Sequence, residues 1–245
     1  MNEGKTDPEC LSVTEETNAL DCLKRVCVFA LQAEEDRLAW KWTVIALHSA
    51  LYNFAICACR GTASLAVVQQ TKKGPRLIGI EKALKLCQDD SCMRKLFSGK
   101  AIRLTSEQRK SFAFLKGIRD QFEHYRPMGW AIAYQELPYH AMHTLDVIES
   151  LTKTGTWCHP PKGFWEEVRS TIAKCRTILQ ESRAHREFSQ MMRTGERLKA
   201  GEQTSPVPPD LAGPDQDTAD FSRNTVFTAP DCEPDPSSGN TGNHT

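Results

Sequence analysis

Asp36-Arg-Leu-Ala-Trp40-Lys-Trp-Thr-Val-Ile-Ala-Leu-His48-Ser-Ala-Leu-Tyr52-Asn-Phe-Ala-Ile56-Cys-Ala-Cys-Arg60 decides the fold. At helical spacing one stripe reads Leu38, Trp42, Ile45, Ser49, Tyr52, Ile56, Cys59, and another reads Trp40, Val44, Leu47, Leu51, Phe54, Ala58. A helix apolar on nearly every face belongs at the centre of a bundle. Asp36 suits its start and Gly61 its stop, which predicts a helix over 36–60. His48 and Asn53 are its polar exceptions. Each reads either as a core residue with its hydrogen bonds met or as a ligand.

The flanking segments repeat the pattern. Thr14 followed by Glu15 and Glu16 starts a helix over 14–32, with Leu20, Leu23, Cys27, Ala30 and Leu31 inward. Thr71-Lys-Lys-Gly-Pro75 is a turn, Ile78 opens a helix over 78–87, and a further short turn of helix fits within 88–104. Thr105-Ser106, with Glu107 and Gln108 behind, starts a helix ending near Tyr125, before Pro127. A short extended segment is expected over 128–134, a helix over 137–151, a loop over 156–163 and one long helix over 164–199. The basic distal half of that last helix carries Arg183, Arg186, Arg193, Arg197 and Lys199 and is expected to project from the bundle. Strand signals are sparse, so the fold class is all-α. The domain plan is a disordered N-terminus (1–12), a helical bundle (13–155), the long C-terminal helix (156–199) and a disordered, acidic, Pro-rich tail (200–245).

Charge is segregated although the formal net charge is zero. Residues 1–36 carry nine acids against three bases, and residues 200–245 carry eight acids against Arg223 alone. The body between them is left with a net charge of +13. That fits a polyanion partner such as RNA, or a solvated surface neutralised by the chain's own ends. Ten cysteines show no C-x-x-C pair, which speaks against a structural zinc site. Most fall on apolar faces. With an acidic, polar start and no run of about 18 apolar residues, the reading is cytoplasmic, with no membrane span and with reduced cysteines.

The chemistry-bearing stretch is Arg119-Asp-Gln-Phe-Glu-His124. Phe112, Leu115, Ile118 and Phe122 define the buried stripe of its helix, and Arg119 falls within that stripe. A guanidinium there must find acceptors. Asp120 and His124, at i and i+4, can meet on an adjacent face. Arg119 and His124, at i and i+5, diverge by about 140° on an ideal helix. Either the helix ends before His124 or two chains share the site. Glu123 is also placed to pair with Arg119. His140, His143 and Asp146 share a second helical face that could hold a metal, although a third firm ligand is not evident and no metal is expected.

The helical pattern and the R-x4-H spacing together resemble the HEPN superfamily. Trp40-Lys-Trp-Thr-Val-Ile-Ala-Leu-His48-Ser-Ala-Leu, then Arg60-Gly61, then Arg119 through His124-Tyr-Arg-Pro-Met-Gly-Trp130, look like a group of bacterial proteins within it; the resemblance covers residues 12–155. It implies a helical bundle that dimerises. In active members it implies metal-independent RNA cleavage at the dimer interface, in toxin or defence settings, without a cofactor. On this chain His124 would be the acid/base, Arg119 the phosphate clamp and Asp120 the group orienting His124, with Arg126, Tyr139 and His140 lining the substrate cleft. Such chemistry suits a histidine near neutral pH and an Arg fork on a crowded phosphate. Other members are binding or scaffold modules without catalysis. The expectations are therefore an endoribonuclease, a non-catalytic dimerisation or interaction module with a cognate protein partner, and an RNA-binding protein without catalysis.

Overall fold

The computed structural model describes residues 11, 13–60, 67–95, 99–124, 131–154, 157 and 160–202, with side chains omitted at 95 and 195–202. Helix α1 (Glu15–Gln32) begins where Thr14 and Thr17 cap each other. The Thr17 amide donates to Thr14 Oγ1 at 3.2 Å, and the Thr14 amide donates to Thr17 Oγ1 at 2.9 Å. Helix α2 (Ala39–Arg60) runs back along α1. Asp36 is not its cap. It closes the preceding turn, its carboxylate accepting from the Leu38 amide at 2.9 Å.

A hairpin follows. Strand β1 (Val68–Thr71) pairs antiparallel with β2 (Gly74–Leu77), Val68 opposite Leu77 and Thr71 opposite Gly74. The turn at Thr71–Gly74 depends on glycine, because Gly74 has φ +107°. The next helices are α3 (Ile80–Cys87) and α4 (Asp90–Lys95). The Asp89 carboxylate accepts from the Ser91 amide at 2.8 Å and the Cys92 amide at 3.1 Å, at the start of α4. Helix α5 (Ser106–Glu123) opens on the reciprocal Thr105–Gln108 cap. Helix α6 (Leu137–Thr152) carries Pro138 in its first turn. Helices α7 (Phe164–Glu181) and α8 (Arg183–Glu202) complete the chain.

The architecture is all-α, with one small hairpin. As its composition dictates, α2 lies at the centre and packs against α1, α3, α5 and α6. Trp40, Leu47, Leu51 and Phe54 meet Leu23 and Val26 of α1, Leu145, Ile148 and Leu151 of α6, and Val168 of α7 in one core. By length and hydropathy α2 could cross a membrane, but 67% of its most apolar window is buried within the bundle. Its end is tied to the start of α1 by Arg60, whose guanidinium reaches Glu16 at 2.6 Å and Glu15 at 2.7 Å.

Three expectations are corrected. The helix over 164–199 is two helices. Ser182 is extended (ψ 147°), its hydroxyl accepts from the His185 amide at 3.1 Å, and the Glu34 carboxylate accepts from the Arg183 amide at 2.9 Å. Those acceptors satisfy the first amides of α8, and the helix turns back against α6 and the Tyr134–Glu136 turn instead of projecting. Tyr134, expected in an extended segment, begins that single 3₁₀ turn. The cysteines are not all reduced. The face-to-face packing of α1 and α7 brings Cys27 and Cys175 to a Cα–Cα separation of 5.0 Å, joined as a disulfide. The expected disorder of 1–12 and of the tail falls almost wholly outside the described residues, and α8 runs to Glu202.

Candidate functional site

The end of α5 places the motif. The helix stops at Glu123, and His124 leaves it with φ −111° and ψ 55°. The divergence expected of an ideal helix is therefore broken at the residue that needed it. His124 is exposed, and among the described residues its ring meets no hydrogen-bond or ion-pair partner. Arg119 is engaged from two sides, by Asp120 Oδ1 at 3.0 Å and by Glu123 Oε2 at 2.5 Å. Asp120 is shared with Lys116 at 3.1 Å, and Lys116 also meets Glu81 at 3.4 Å. Arg119 and then Lys116 hold the Asp120 carboxyl below the usual carboxylate range. Asp120 thus serves the two cations, not the His124 ring. Two cations face three carboxylates here, so a phosphate would enter a patch without surplus positive charge.

Across from this patch lies His48 on α2. Burial, the charge of Arg119 and that of Lys116 push its pKa down to about 4, against the pull of Asp120. The imidazole is therefore neutral at neutral pH. Sequence spacing alone did not pair His48 with Arg119, since the two lie on different helices.

Beside His48 runs an apolar strip. The first stripe of α2, read from sequence as a core face, is buried only toward its C-terminal end, at Ile56 and Cys59. Leu38, in the turn that leads into α2, is 75% exposed, Trp42 on the helix is 49% exposed, and Ile45 and Ser49 are partly exposed. Phe29 of α1 sits on one bank, its ring 6.4 Å from that of Trp42. Lys41 lies on the other, with its ammonium 4.9 Å from the Trp42 ring and 6.0 Å from that of Phe122, the penultimate residue of α5.

The remaining expected site residues lie elsewhere. Arg126 is outside the described residues. His140 sits on α6 against the first half of α5, where Ser111 Oγ meets its Nδ1 at 3.0 Å and the Phe114 ring stacks on it at 4.1 Å. Ser111 lies about 20 Å from His124 along the helix axis, so Tyr139 and His140 do not share a cleft with the motif. Tyr139 packs edge-on to His140 and His143, and its hydroxyl reaches Glu107 at 3.5 Å. Burial, then His143, drives the His140 pKa down to about 4. The run Ser111–His140–Glu136 has the residue types of a hydrolytic triad. Ser111, however, has no exposed surface, and Glu136 is 3.9 Å from His140 Nε2, beyond hydrogen-bond reach. The group ties α5 to α6. His143 lies 3.8 Å from Asp146, but Asp146 is taken by Arg176 at 2.6 Å, and no group of three metal-ligating side chains exists among the described residues.

Comparison with protein-family models, curated proteins and solved structures returns no match.

Proposed function

We propose that this chain is a non-catalytic helical module that pairs with a second copy of itself across the exposed strip of α2. The observation that carries this reading is the strip of Leu38, Trp42 and Ile45, banked by Phe29 and Phe122. Apolar side chains left exposed side by side on one helical face are a common mark of a surface that another surface covers. The adjoining Lys116, Arg119, Asp120 and Glu123 satisfy one another, and Lys41 at the edge of the strip keeps its ammonium over the Trp42 ring. A second copy is the partner a strip of this kind meets most readily, because closed two-fold pairing is the commonest route for a soluble chain. Dilution tests it. Tryptophan emission should move to the red as the protein is diluted through its dissociation constant, and Trp42→Phe should remove that shift. Emission independent of concentration, from a protein monomeric at every dilution, would refute it.

A second reading, the metal-independent endoribonuclease, is favoured by one observation: His124 leaves the helix exposed and unpaired among the described residues. It requires Arg119 to exchange Asp120 and Glu123 for a phosphate. Labelled single-stranded RNA incubated with wild type and His124→Ala in EDTA separates the two. Loss of cleavage in the variant alone, with cyclic phosphate ends from the wild type, supports the enzyme. Intact RNA with both supports the module.

A further inference from the structure

The Cys27–Cys175 bridge lies at the floor of a groove between α1 and α7. The groove has a volume of about 290 Å³ and is lined by Lys24, Cys27, Val28, Leu31, Thr171 and Lys174. The two cysteines are placed differently with respect to the groove. Cys27 lines it and keeps 4% of its surface exposed, whereas Cys175 does not line it and has none; each sulfur faces a backbone carbonyl, Cys27 that of Thr171 at 3.7 Å and Cys175 that of Leu23 at 3.6 Å. The rim is cationic. Lys24 is paired with Glu167 at 2.6 Å, but Lys174 is exposed and, among the described residues, no carboxylate pairs with it. Val28 and Leu31, 42% and 52% exposed, supply apolar walls.

We infer that this groove is a thiol–disulfide exchange site, selective for small thiols that carry carboxylates, of the glutathione type. The attacking thiolate enters past Lys174 and bonds to Cys27 Sγ. The Cys27–Cys175 bond breaks, and its electron pair leaves on Cys175 Sγ, which then takes a proton from solvent. The product is a mixed disulfide on Cys27 with a free thiol at Cys175. A second thiolate attacks the small thiol's own sulfur and releases it as a symmetrical disulfide, leaving Cys27 reduced. Over both steps two small thiols are oxidised and one protein disulfide is reduced. The direction of attack follows from access: only Cys27 faces the groove. The preference for an anion follows from Lys174, because unlike charges a few ångströms apart at a wetted surface change encounter rates by a measurable factor.

The test uses the full chain, purified without reductant. Glutathione, neutral β-mercaptoethanol and cationic cysteamine are added at matched thiolate concentration, quenched by alkylation and mapped by mass spectrometry. The expected adduct is on Cys27, forming about tenfold faster with glutathione than with cysteamine at low salt, with the gap closing at high salt. Lys174→Glu, an exposed change that leaves the fold intact, should erase or reverse that preference. Adduct on Cys175, or equal rates for the three thiols with wild type, would overturn the inference. So would alkylation of both cysteines before any thiol is added. None of these outcomes depends on whether the chain dimerises.

Discussion

Arg60 is the residue whose loss should cost most. Its side chain is 17% exposed and spans the end of α2 and the first turn of α1, with Glu16 7% and Glu15 46% exposed beside it. Burial opposes its charge, yet Glu16 and Glu15 hold its pKa above the usual value. Glu15 is held low by its own backbone amide first and by Arg60 next. Arg60→Met strands the buried Glu16 carboxylate, and breaking a buried pair from one side costs about 3–5 kcal/mol. The partial exposure of Arg60 places the loss near the lower end, about 3 kcal/mol, and the half-exposed Glu15 adds at most about 1 kcal/mol. In a chain of this size that lowers Tm by about 6–12 °C. Pairing Arg60→Met with Glu16→Met removes both charges and should recover all but about 1 kcal/mol. Urea unfolding of wild type, both single variants and the double variant, followed by circular dichroism with the disulfide intact, measures the coupling. A single variant within about 0.5 kcal/mol of wild type, or losses that simply add, would refute the buried-pair account.

Two further perturbations probe the long-range contacts. His140 titrates at about 4 in the fold against about 6.5 unfolded. The unfolded chain therefore binds the extra proton first, and stability is complete above about pH 6.5 and is lost as the pH falls toward 4. His140→Asn should flatten that part of the stability–pH curve by up to about 3 kcal/mol; an unchanged slope would mean that the imidazole is protonated in place. Glu34→Ala removes the carboxylate that accepts from the Arg183 amide and should cost about 0.5–1 kcal/mol, with protection of the first α8 amides falling in hydrogen exchange. Unaltered exchange there would show that Ser182 alone sets the start of α8.

What the sequence made legible was local. Thr14 and Thr105 were readable as caps because cap chemistry spans three residues, and Gly74 marked its turn because only glycine sits comfortably at φ +107°. The central place of α2 followed from its all-round apolarity. Asp36 misled because the same Asp chemistry serves a turn as well as a helix start. The break at Ser182 was hidden for a different reason. No Gly or Pro interrupts the residues around it, and one of its two determinants, Glu34, lies 149 residues before the Arg183 whose amide it accepts from. The Cys27–Cys175 bridge, 148 residues apart, carries no spacing signature. At the motif, the Arg119–Glu123 pair was foreseeable from i,i+4 spacing, whereas the approach of His48 was not. Nor did the period show that the outer stripe of α2 stays half open, because exposure depends on what packs beside a helix and not on its own sequence.

The central claim is that the open strip of α2 is covered by a second copy. Sedimentation velocity of wild type and Trp42→Glu at matched micromolar concentrations tests it most directly, with circular dichroism confirming equal helix content. The account predicts a wild-type dimer and a Trp42→Glu monomer, because the variant sets an unpaired carboxylate at the middle of a desolvated apolar contact. A monomeric wild type, or a variant that dimerises as tightly as wild type, would contradict it.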